Sequence, residues 1–427
     1  MSRHRFLMLG ASIVGVGMLP FAQRNQAYAR GLTVTPFDYA KRRGMDDDDH
    51  TAILHDMFFD RRLKAPSHFH LPPCPNGEGW MVEMGPGFAT FPVKSDWMLT
   101  GSTLADGTTL DYTSSLYRKG AVVHAQKMFE NTDTELGNDN ITFKQLYVKG
   151  QKHDWAASNG GYIDIDQVST FLSISQHPAA ASDRWNNTVK FVACEVRDWP
   201  GISCDFRQLR NFVVSDNRVI SSHRGSLIFR FGAHVGNVHH NHVLDGGDDC
   251  IAFNGNSVAY YNGNPDRPPS KAQNVYVWSN ILSEKQTQDI PEPPHGRKRT
   301  GNSPIAVRGG ENIHIGESRL GQVLGNEILY TADGYTDVDG LYHPEQPAVE
   351  VIGDLGQSAR NIWVKRLIVR QTKAGALVVP SADVTGGVYD SVCDLYTGSS
   401  CAWQLAPTPE LFQRSTLAHN GADSACA

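Results

Sequence analysis

The sequence predicts an all-β protein whose chain winds into a β-solenoid, a stack of similar coils. The main observation is a repeat between about residues 140 and 370, in which Asn precedes an apolar residue, any residue and a second apolar residue. Asn187, Asn211 and Asn237 begin successive copies at a spacing of about 25 residues, which is typical of a solenoid. Further copies begin at Asn140, Asn274, Asn312 and Asn361. The 40 glycines and the lack of sustained helical periodicity favour strands and turns.

The repeated asparagines also predict how each coil turns. Asn tolerates the left-handed backbone conformation of a tight corner, and asparagines stacked in successive coils can form hydrogen-bonded ladders. One coil buries little apolar surface alone, so the core must come from stacking. We assign residues 136–385 to the coils and residues 386–427 to a C-terminal tail.

Residues 30–135 are predicted to form an N-terminal cap and the first coils. The acidic run Asp46–Asp49 precedes an apolar pattern over Thr51–Phe58, which predicts a short amphipathic helix whose first turn the carboxylates cap. A calcium loop is the alternative, but its ligand spacing is absent. Apolar runs around Phe69–Leu71, Trp80–Val82 and Trp97–Thr100 predict the first strands.

Residues 1–29 are predicted to be a cleaved signal peptide. Basic Arg3 and Arg5 precede an apolar run to Phe21, and Ala27-Tyr28-Ala29 is a small-residue cleavage site. The protein is therefore expected to be periplasmic or secreted, without stable membrane insertion after cleavage. An uncleaved anchor and the choice between Sec and Tat export stay open.

Charge and cysteine content narrow the function classes. The net charge is −6 without a basic block, so no nucleic-acid partner is expected. Export permits disulfides, and of the seven cysteines Cys393 and Cys401 are the best predicted pair. The group His234, His239, His240 and His242 suggests a metal site, but adjacent strand residues point to opposite faces, so we predict stacked or turn histidines and no metal.

Aligning the coils on Asn217, Asn241 and Asn280 predicts a column of polar side chains. This register places Phe229 over Phe253, and Ile305–Val307 continues the same strand position. The residues that follow these strands, with Arg207 one coil earlier, are Arg207, Arg230, Asn254 and Arg308. Neighbours in this column should lie about 4.8 Å apart. Such arginines suit a polyanionic ligand; the alternative is that each pairs with a local Asp or Glu.

The most informative stretch is Gly246-Gly247-Asp248-Asp249, which precedes an apolar strand. Two adjacent Asp side chains can face solvent together only where the chain bends, and the glycines permit a bend. A plain turn is the alternative. The same register sets His223 beside Gly247 and Arg224 beside Asp248, with Asn302-Ser303 on the far side.

Three segments between coils are predicted to be insertions along one side of the solenoid. They are residues 256–271, 285–301 and 321–345. Insertions on one face commonly border a binding groove. Their tyrosines could stack on sugar rings or simply pack within loops; they are Tyr260, Tyr261, Tyr330, Tyr335 and Tyr342.

Two stretches resemble a known family. Asn241–Phe253 is similar to the N-x-x-I-x-x-G-D-D-C-I-A-I coil of polygalacturonases (glycoside hydrolase family 28), and Asp48–Ile53 resembles the D-D-T-x-A-I helix of pectate-lyase-superfamily proteins. The resemblance implies a right-handed parallel β-helix with Asp248 and Asp249 as acid and base. Ser221–Gly225 stands where the family has N-T-D, Gly301–Pro304 stands where it has G-H-G, and its R-I-K strand has no clear match, so the chain looks like a divergent relative.

Three functions follow as hypotheses. The first is hydrolysis of an acidic polysaccharide without a cofactor, with Asp248, Asp249 and His223 as catalytic residues. The second is a lyase or epimerase with His223 or Arg224 as base and Ca²⁺ held by the Asp pair. The third is a non-catalytic β-helix that binds exopolysaccharide. The substrate-binding candidates are Arg207, Arg224, Arg230, Asn254, Arg308, Tyr260 and Tyr261.

Overall fold

The structure is a computed structural model, and part of the chain is described. The described residues are 33–46, 48–63, 67–73, 80–83, 90–102, 109–113, 127–133, 136–158, 161, 163, 170–174, 185–255, 271–284, 290, 303–331, 335–336, 342–343, 347–352, 358–372, 377–379, 386–389, 392–395, 403–405, 412–413, 416–419 and 422–424. The helices are α1 (Pro36–Arg43), α2 (His50–Phe59) and α3 (Lys152–Ser158). None of the helices in these ranges is both long and apolar enough to cross a membrane.

Strands make up most of the described chain. The first half contains β1 (Thr33–Val34), β2 (Ser67–Leu71), β3 (Trp80–Glu83), β4 (Phe91–Val93), β5 (Trp97–Gly101), β6 (Thr109–Thr113), β7 (Lys127–Asn131), β8 (Asp139–Lys144), β9 (Tyr147–Lys149), β10 (Thr170–Ile174), β11 (Asn186–Val192), β12 (Glu195–Arg197), β13 (Ile202–Ser215), β14 (Arg218–Ile220), β15 (Leu227–His239) and β16 (His242–Gly246). The second half contains β17 (Ile251–Asn254), β18 (Ala272–Trp278), β19 (Ile281–Glu284), β20 (Ile305–Arg308), β21 (Gly310–Ile315), β22 (Asn326–Tyr330), β23 (Tyr335–Thr336), β24 (Tyr342–His343), β25 (Val349–Ile352), β26 (Ala359–Lys365), β27 (Leu367–Thr372), β28 (Leu377–Val379), β29 (Gly386–Tyr389), β30 (Val392–Leu395), β31 (Trp403–Leu405), β32 (Phe412–Gln413), β33 (Thr416–His419) and β34 (Ala422–Ser424).

These strands form two long sheets whose pairings are almost all parallel. Each coil contributes strands to both: β13 and β15 pair in sheet 1, while β14 and β16, which follow them, pair in sheet 2. The antiparallel pairings of named strands are β23 with β24 and β33 with β34. This architecture confirms the predicted all-β parallel β-helix. Parallel pairing also continues through β29 to β33, past the boundary at residue 385 that was drawn from the sequence.

The core lies between the sheets and follows the predicted register. Phe229 pairs with Phe253 across adjacent coils, and the stacked rings of Phe206, Phe229 and Phe253 have centroid separations of 5.2 and 4.9 Å. The N-terminal end is closed by α2, where Leu54, Met57 and Phe58 are buried. The predicted α2 is confirmed, with the Asp49 side chain accepting a hydrogen bond from the Ala52 N–H. Helix α1, which begins at Pro36 after the Thr35 cap, was not predicted.

Five of the seven recurrent asparagines adopt the left-handed conformation of a coil corner, as predicted. Asn140, Asn211, Asn274, Asn312 and Asn361 have left-handed φ values between 54° and 58°. In two repeats the left-handed residue is a neighbour, Thr188 or Val235, and not the Asn of the motif. In the second of these, Asn237 pairs with Tyr276 inside the strand, so it lies past the corner.

A second, buried asparagine ladder, called here the inner ladder, runs along the corner where each coil passes from sheet 1 to sheet 2. Asn217, Asn241, Asn280 and Asn326 are at most 4% exposed, and each of the first three donates through Nδ2 to the Oδ1 of the next at 2.9 to 3.0 Å. One coil earlier the Cys194 N–H donates to Asn217 Oδ1, so a cysteine begins the column. Asn326 belongs to coil strand β22, which corrects the prediction that residues 321–345 are wholly an insertion.

Replacing Asn280 with Ala is expected to lower the free energy of unfolding by about 3 to 4 kcal/mol. Asn280 makes four buried hydrogen bonds: its Nδ2 donates to Val238 O and Asn326 Oδ1, and its Oδ1 accepts from the N–H and Nδ2 of Asn241. Urea denaturation followed by circular dichroism measures the loss. Asn187→Ala, which removes one half-buried partner of Asn211, is the matched control and should cost about 1 kcal/mol or less. Equal losses of unfolding free energy in the two variants would contradict the larger contribution to stability expected of the inner ladder.

Several predictions fall outside the described residues. The signal peptide, Tyr260, Tyr261 and most of the first two insertions lie there, as does Cys401, so the Cys393–Cys401 disulfide stays a prediction. Cys194, Cys204 and Cys250 are buried free thiols.

Candidate functional site

The predicted polar column exists on the outer face of sheet 1. Arg207 pairs with Arg230, Arg230 with Asn254, and Asn254 with Arg308 in four successive coils. Each residue ends a strand segment whose preceding residue (Phe206, Phe229, Phe253 or Val307) is buried in the core. The alternation of strand side chains therefore turns all four outward along one line.

The second acid of the pair, Asp249, is tied to the end of this column. It is 3% exposed, and Arg308 binds it with both terminal nitrogens, Nη1 to Oδ2 at 2.6 Å and Nη2 to Oδ1 at 3.1 Å. The Ser303 N–H also donates to Oδ1 at 3.2 Å, which places Ser303 on the far side of the acid as predicted. Asp249 is thus a buried, ion-paired carboxylate and not a solvated turn residue.

A third carboxylate, Glu350, completes this group from the next coil. Arg308 Nε donates to Glu350 Oε2 at 2.9 Å, and Arg308 Nη1 donates to Asn254 Oδ1 at 3.1 Å. One guanidinium is therefore held between two acids and an amide. We refer to Asp249, Arg308 and Glu350 as the acid–arginine knot.

Burial shifts the protonation of Asp249. Desolvation raises the pKa of its carboxyl to about 6, although the positive charge of Arg308 acts in the opposite direction and the negative charge of Asp248 adds to the rise. Asp249 therefore changes charge within the mildly acidic range, where an ordinary Asp is already ionised.

Asp248 has a different environment from its neighbour. It is partly exposed, and its Oδ1 accepts the Asp249 N–H at 3.0 Å. The bend that brings both acids to one corner depends on Gly247, because a Cβ there would lie 2.2 Å from His223 O. The Gly247 N–H donates to Ser222 O, so His223 lies beside Gly247 as predicted.

The corner beneath the acids carries the other predicted residues. His223 is 2% exposed, and Arg224 is partly buried with its N–H donating to Gly201 O. The Ser226 N–H donates to Asp249 O, so residues 221–226 and 247–250 form neighbouring corners of stacked coils. Two buried ionisable residues next to these corners were not predicted. Lys152 of α3 donates from Nζ to Ser221 Oγ at 2.8 Å, and Glu284 pairs with Gly246 in sheet 2.

A second charged group lies earlier in the stack, around Asp205, which is two coils before Asp249 and three before Arg308. Asp205 is 3% exposed; Arg207 donates to its Oδ2 at 2.7 and 3.0 Å, and Arg230 Nε lies 3.6 Å from its Oδ1. Burial alone would raise the pKa of Asp205, but the charges of Arg230 and Arg207 outweigh it and hold the pKa below its usual range. Arg207 and Arg308 thus follow the alternative in which an arginine pairs with a local acid, while the Arg230 contact is longer than a hydrogen bond.

The space between these charged groups has an apolar floor. Ile228, Ala252 and Ala306 pair in register on the outer face of sheet 1 and are at most 3% exposed. The same column begins with Asp205 and ends with Glu350. Because these three side chains are almost fully covered, the strip packs beneath its neighbours and does not itself offer a contact surface to a ligand.

Of the clustered histidines, His239 and His240 lie together with their Nδ1 atoms 2.8 Å apart, which corrects the expectation that adjacent residues there point to opposite faces. His239 stacks on Trp278 with a centroid separation of 4.3 Å, His234 lies 4.2 Å from Trp185, and His240 adopts the left-handed corner conformation. Among the described residues no group of three or more His, Cys, Asp or Glu side chains could hold a metal ion. A cation at Asp249 would have to displace the Arg308 guanidinium.

Comparison with known proteins identifies the fold. No protein-family model matches the chain, and no curated protein sequence does. The chain is similar in structure to a family 28 exopolygalacturonase of Yersinia enterocolitica, with a TM-score of 0.51, 11% identity, and coverage of 91% of this chain and 78% of that one. This likeness places the protein among the parallel β-helix proteins, at a sequence distance that fits the predicted divergence.

Two other solved structures align over similar lengths. The catalytic unit of a thermostable GH87 α-1,3-glucanase from Streptomyces thermodiastaticus has a TM-score of 0.48 and 13% identity, covering 91% of this chain and 68% of that one. The A-module of a mannuronan C-5 epimerase from Azotobacter vinelandii has a TM-score of 0.37 and 12% identity, covering 90% and 99%.

Proposed function

We propose that the protein is a polysaccharide-active enzyme that hydrolyses glycosidic bonds in an acidic, uronate-containing polysaccharide. The observation that carries the proposal is the unequal environment of two adjacent acids. Asp249 is buried with its pKa raised to about 6, whereas Asp248 is partly exposed. A buried carboxyl group with a raised pKa beside a more exposed carboxyl group can divide the roles of acid and base.

In this proposal Asp249 is the general acid. In its protonated form Asp249 gives a proton to the leaving glycosidic oxygen as the bond to the anomeric carbon breaks. Asp248, as the base, takes a proton from the water that attacks that carbon from the opposite face. Protonation of one Asp249 oxygen replaces one of its Arg308 hydrogen bonds with a bond to the leaving oxygen. His223, buried at the adjacent corner, would exchange protons with the pair after each turnover.

The arginines divide into structural and substrate-binding roles. Arg308 holds and tunes Asp249, and Arg207 holds Asp205. Arg230 makes only a 3.6 Å ionic contact with Asp205 and keeps 19% of its side chain exposed, so its guanidinium can also take a uronate carboxylate. It lies two coil steps from Arg308, with Asn254 between them.

Replacing Arg230 with Gln is expected to reduce kcat/KM for the acidic polymer by about 10- to 100-fold, because one charge-assisted contact to the substrate is lost. The same variant should cleave a carboxyl-reduced polymer as the wild type does. Reducing-end assays on the two polymers measure the ratio. Arg43→Gln, at an exposed pair with Asp56, is the control. An equal loss on both polymers would show that Arg230 acts on the fold or the acids and not on the substrate charge.

Incubation with a panel of uronate polymers tests the reaction type. Hydrolysis predicts new reducing ends without the ultraviolet absorbance of an unsaturated uronate. Elimination, in which His223 or Arg224 removes the proton next to the carboxylate and nearby arginines stabilise the resulting anion, predicts that absorbance. This second candidate is favoured by one observation, the placement of buried His223 and partly buried Arg224 at the corner next to the acids. Binding without either product would leave only a binding function.

A further inference from the structure

A surface feature far from the acids is a preorganised loop, residues 317–325, between β21 and β22. Its backbone is held by hydrogen bonds from Leu324 N and Gly325 N to Gly316 O and from Ser318 N to Gln322 O. The Glu317 side chain bonds to Lys365 at 2.6 Å and to His314 at 3.1 Å. The loop is therefore fixed by its own contacts, and an ordered loop loses little entropy when it binds.

This loop exposes apolar side chains. Leu320 is 84% exposed, Leu324 is 41% exposed and Val323 is 39% exposed. They are three of the five exposed large apolar residues of the described chain, and the other two, Phe59 and Leu136, lie elsewhere in the sequence. A cluster of exposed apolar groups on a rigid support is typical of a protein contact surface.

A cleft lies at the end of this loop, where Leu324 forms part of its wall. It has a volume of about 180 Å³, and its lining includes Leu324, Ile281 and Ile368. A cavity of about 150 Å³ accommodates a benzene-sized group, so this cleft is large enough for a leucine side chain. Arg366 and Glu327, of opposite charge, also line it.

We propose that this surface joins two copies of the chain, with Leu320 of each copy inserted into the cleft of the other. A twofold interface brings the same patch of both molecules together, so the patch must be complementary to itself. Here the projecting Leu320 is four residues from Leu324, which lines the leucine-sized cleft. Arg366 of one copy can face Glu327 of the other, which already pairs with Arg370 of its own chain at 2.8 Å. The loop lies at the asparagine-ladder corner, whereas the acids lie at the corner that precedes sheet 1, so the dimer leaves the acid site open.

Sedimentation of the full chain tests this proposal. The wild type is expected to reach twice the mass of one chain at concentrations of about 1 to 100 µM. Leu320→Asp should weaken association by at least about tenfold, because the carboxylate would have to be buried without a partner. Thermal unfolding of the variant, expected to match the wild type since Leu320 is exposed, checks its fold.

Leu136→Asp is the matched control, because Leu136 is 57% exposed on a different turn. Its association should equal that of the wild type. A wild type that stays monomeric up to about 100 µM, or a Leu320→Asp variant that associates as the wild type does, would overturn the proposal. Neither result depends on the enzymatic activity. The dimer proposal can therefore fail while the proposed function holds, and the reverse.

Discussion

Replacing Asp249 with Asn is expected to lower kcat by about a thousandfold on any uronate polymer that the wild type cleaves, because the amide cannot supply the proton to the leaving oxygen. Asn keeps the shape of the side chain and can still accept from Ser303 N–H and from one Arg308 nitrogen. The coils should therefore remain stacked, which circular dichroism and thermal unfolding verify. Reducing-end formation at saturating substrate measures kcat.

Asp245→Asn provides the control for this experiment. Asp245 is an exposed aspartate in the same coil and lies outside the knot, so its replacement should leave kcat within about twofold of the wild type, as for ordinary surface substitutions. Full turnover by a folded Asp249→Asn variant would remove Asp249 from the reaction and leave it a structural ion-pair partner.

Replacing Arg308 with Met should have the largest effect on stability. Arg308 is the cation shared by Asp249 and Glu350, and its side chain is 19% exposed. Breaking a buried ion pair by removing one partner typically costs about 3 to 5 kcal/mol, because the remaining charge is left uncompensated. Urea denaturation at neutral pH measures the loss.

The pH dependence of this loss has a definite sign. Without Arg308 the pKa of Asp249 rises further above its value in the unfolded chain. A carboxyl group whose pKa is raised by folding stabilises the fold below its unfolded pKa, and this contribution is lost as the pH rises through the folded pKa. The destabilisation should therefore be smaller near about pH 4, where Asp249 is protonated, and larger above about pH 7.

Arg43→Met, which breaks an exposed pair with Asp56, should cost less than about 1 kcal/mol at either pH. A loss in Arg308→Met that is small, or that is greatest at acidic pH, would mean that the knot does not hold Asp249 as described. The same variant should lose activity, because the position of Asp249 depends on Arg308.

Much of the fold and the placement of the site could be predicted because the sequence repeats its coil chemistry. The register on Asn217, Asn241 and Asn280 placed Phe229 over Phe253 and brought Arg207, Arg230, Asn254 and Arg308 into one column, as the strand pairing confirms. Because stacked strands are evenly spaced, residues aligned at the same position of successive coils become neighbours in the structure. The same register also predicted His223 beside Gly247.

The contacts of that column could not be predicted. Asp205 and Glu350 bear no motif, and their outward position became visible only through pairing with Ile228 and Ala306. Asp205 lies two residues before Arg207, in a coil that was already aligned, so strand alternation would have revealed it, whereas Glu350 needed the register to be extended by one coil. The contact between Lys152 and Ser221 joins α3 to a coil 69 residues further along the chain, and no periodic signal marks it.

Helix α1 and the continuation of the coils were missed for different reasons. The Thr35-Pro36 start and Gly44 end of α1 are ordinary capping signals that a repeat search overlooks. Asn326 continues the inner ladder after a gap of 46 residues, because the intervening segment contains the predicted insertion at residues 285–301 as well as the loop at residues 317–325. A ladder residue after so long a gap does not stand out in sequence spacing.

The most direct test of Asp249 as the proton donor is the pH dependence of kcat/KM for the wild-type protein on the polymer that it cleaves. If Asp249 is the proton donor, the rate should fall as the pH rises through about 6, the value to which burial raises its pKa, since only the protonated carboxyl can act. A rate that stays constant or rises from pH 5 to pH 8 would contradict the assignment of Asp249 as the acid.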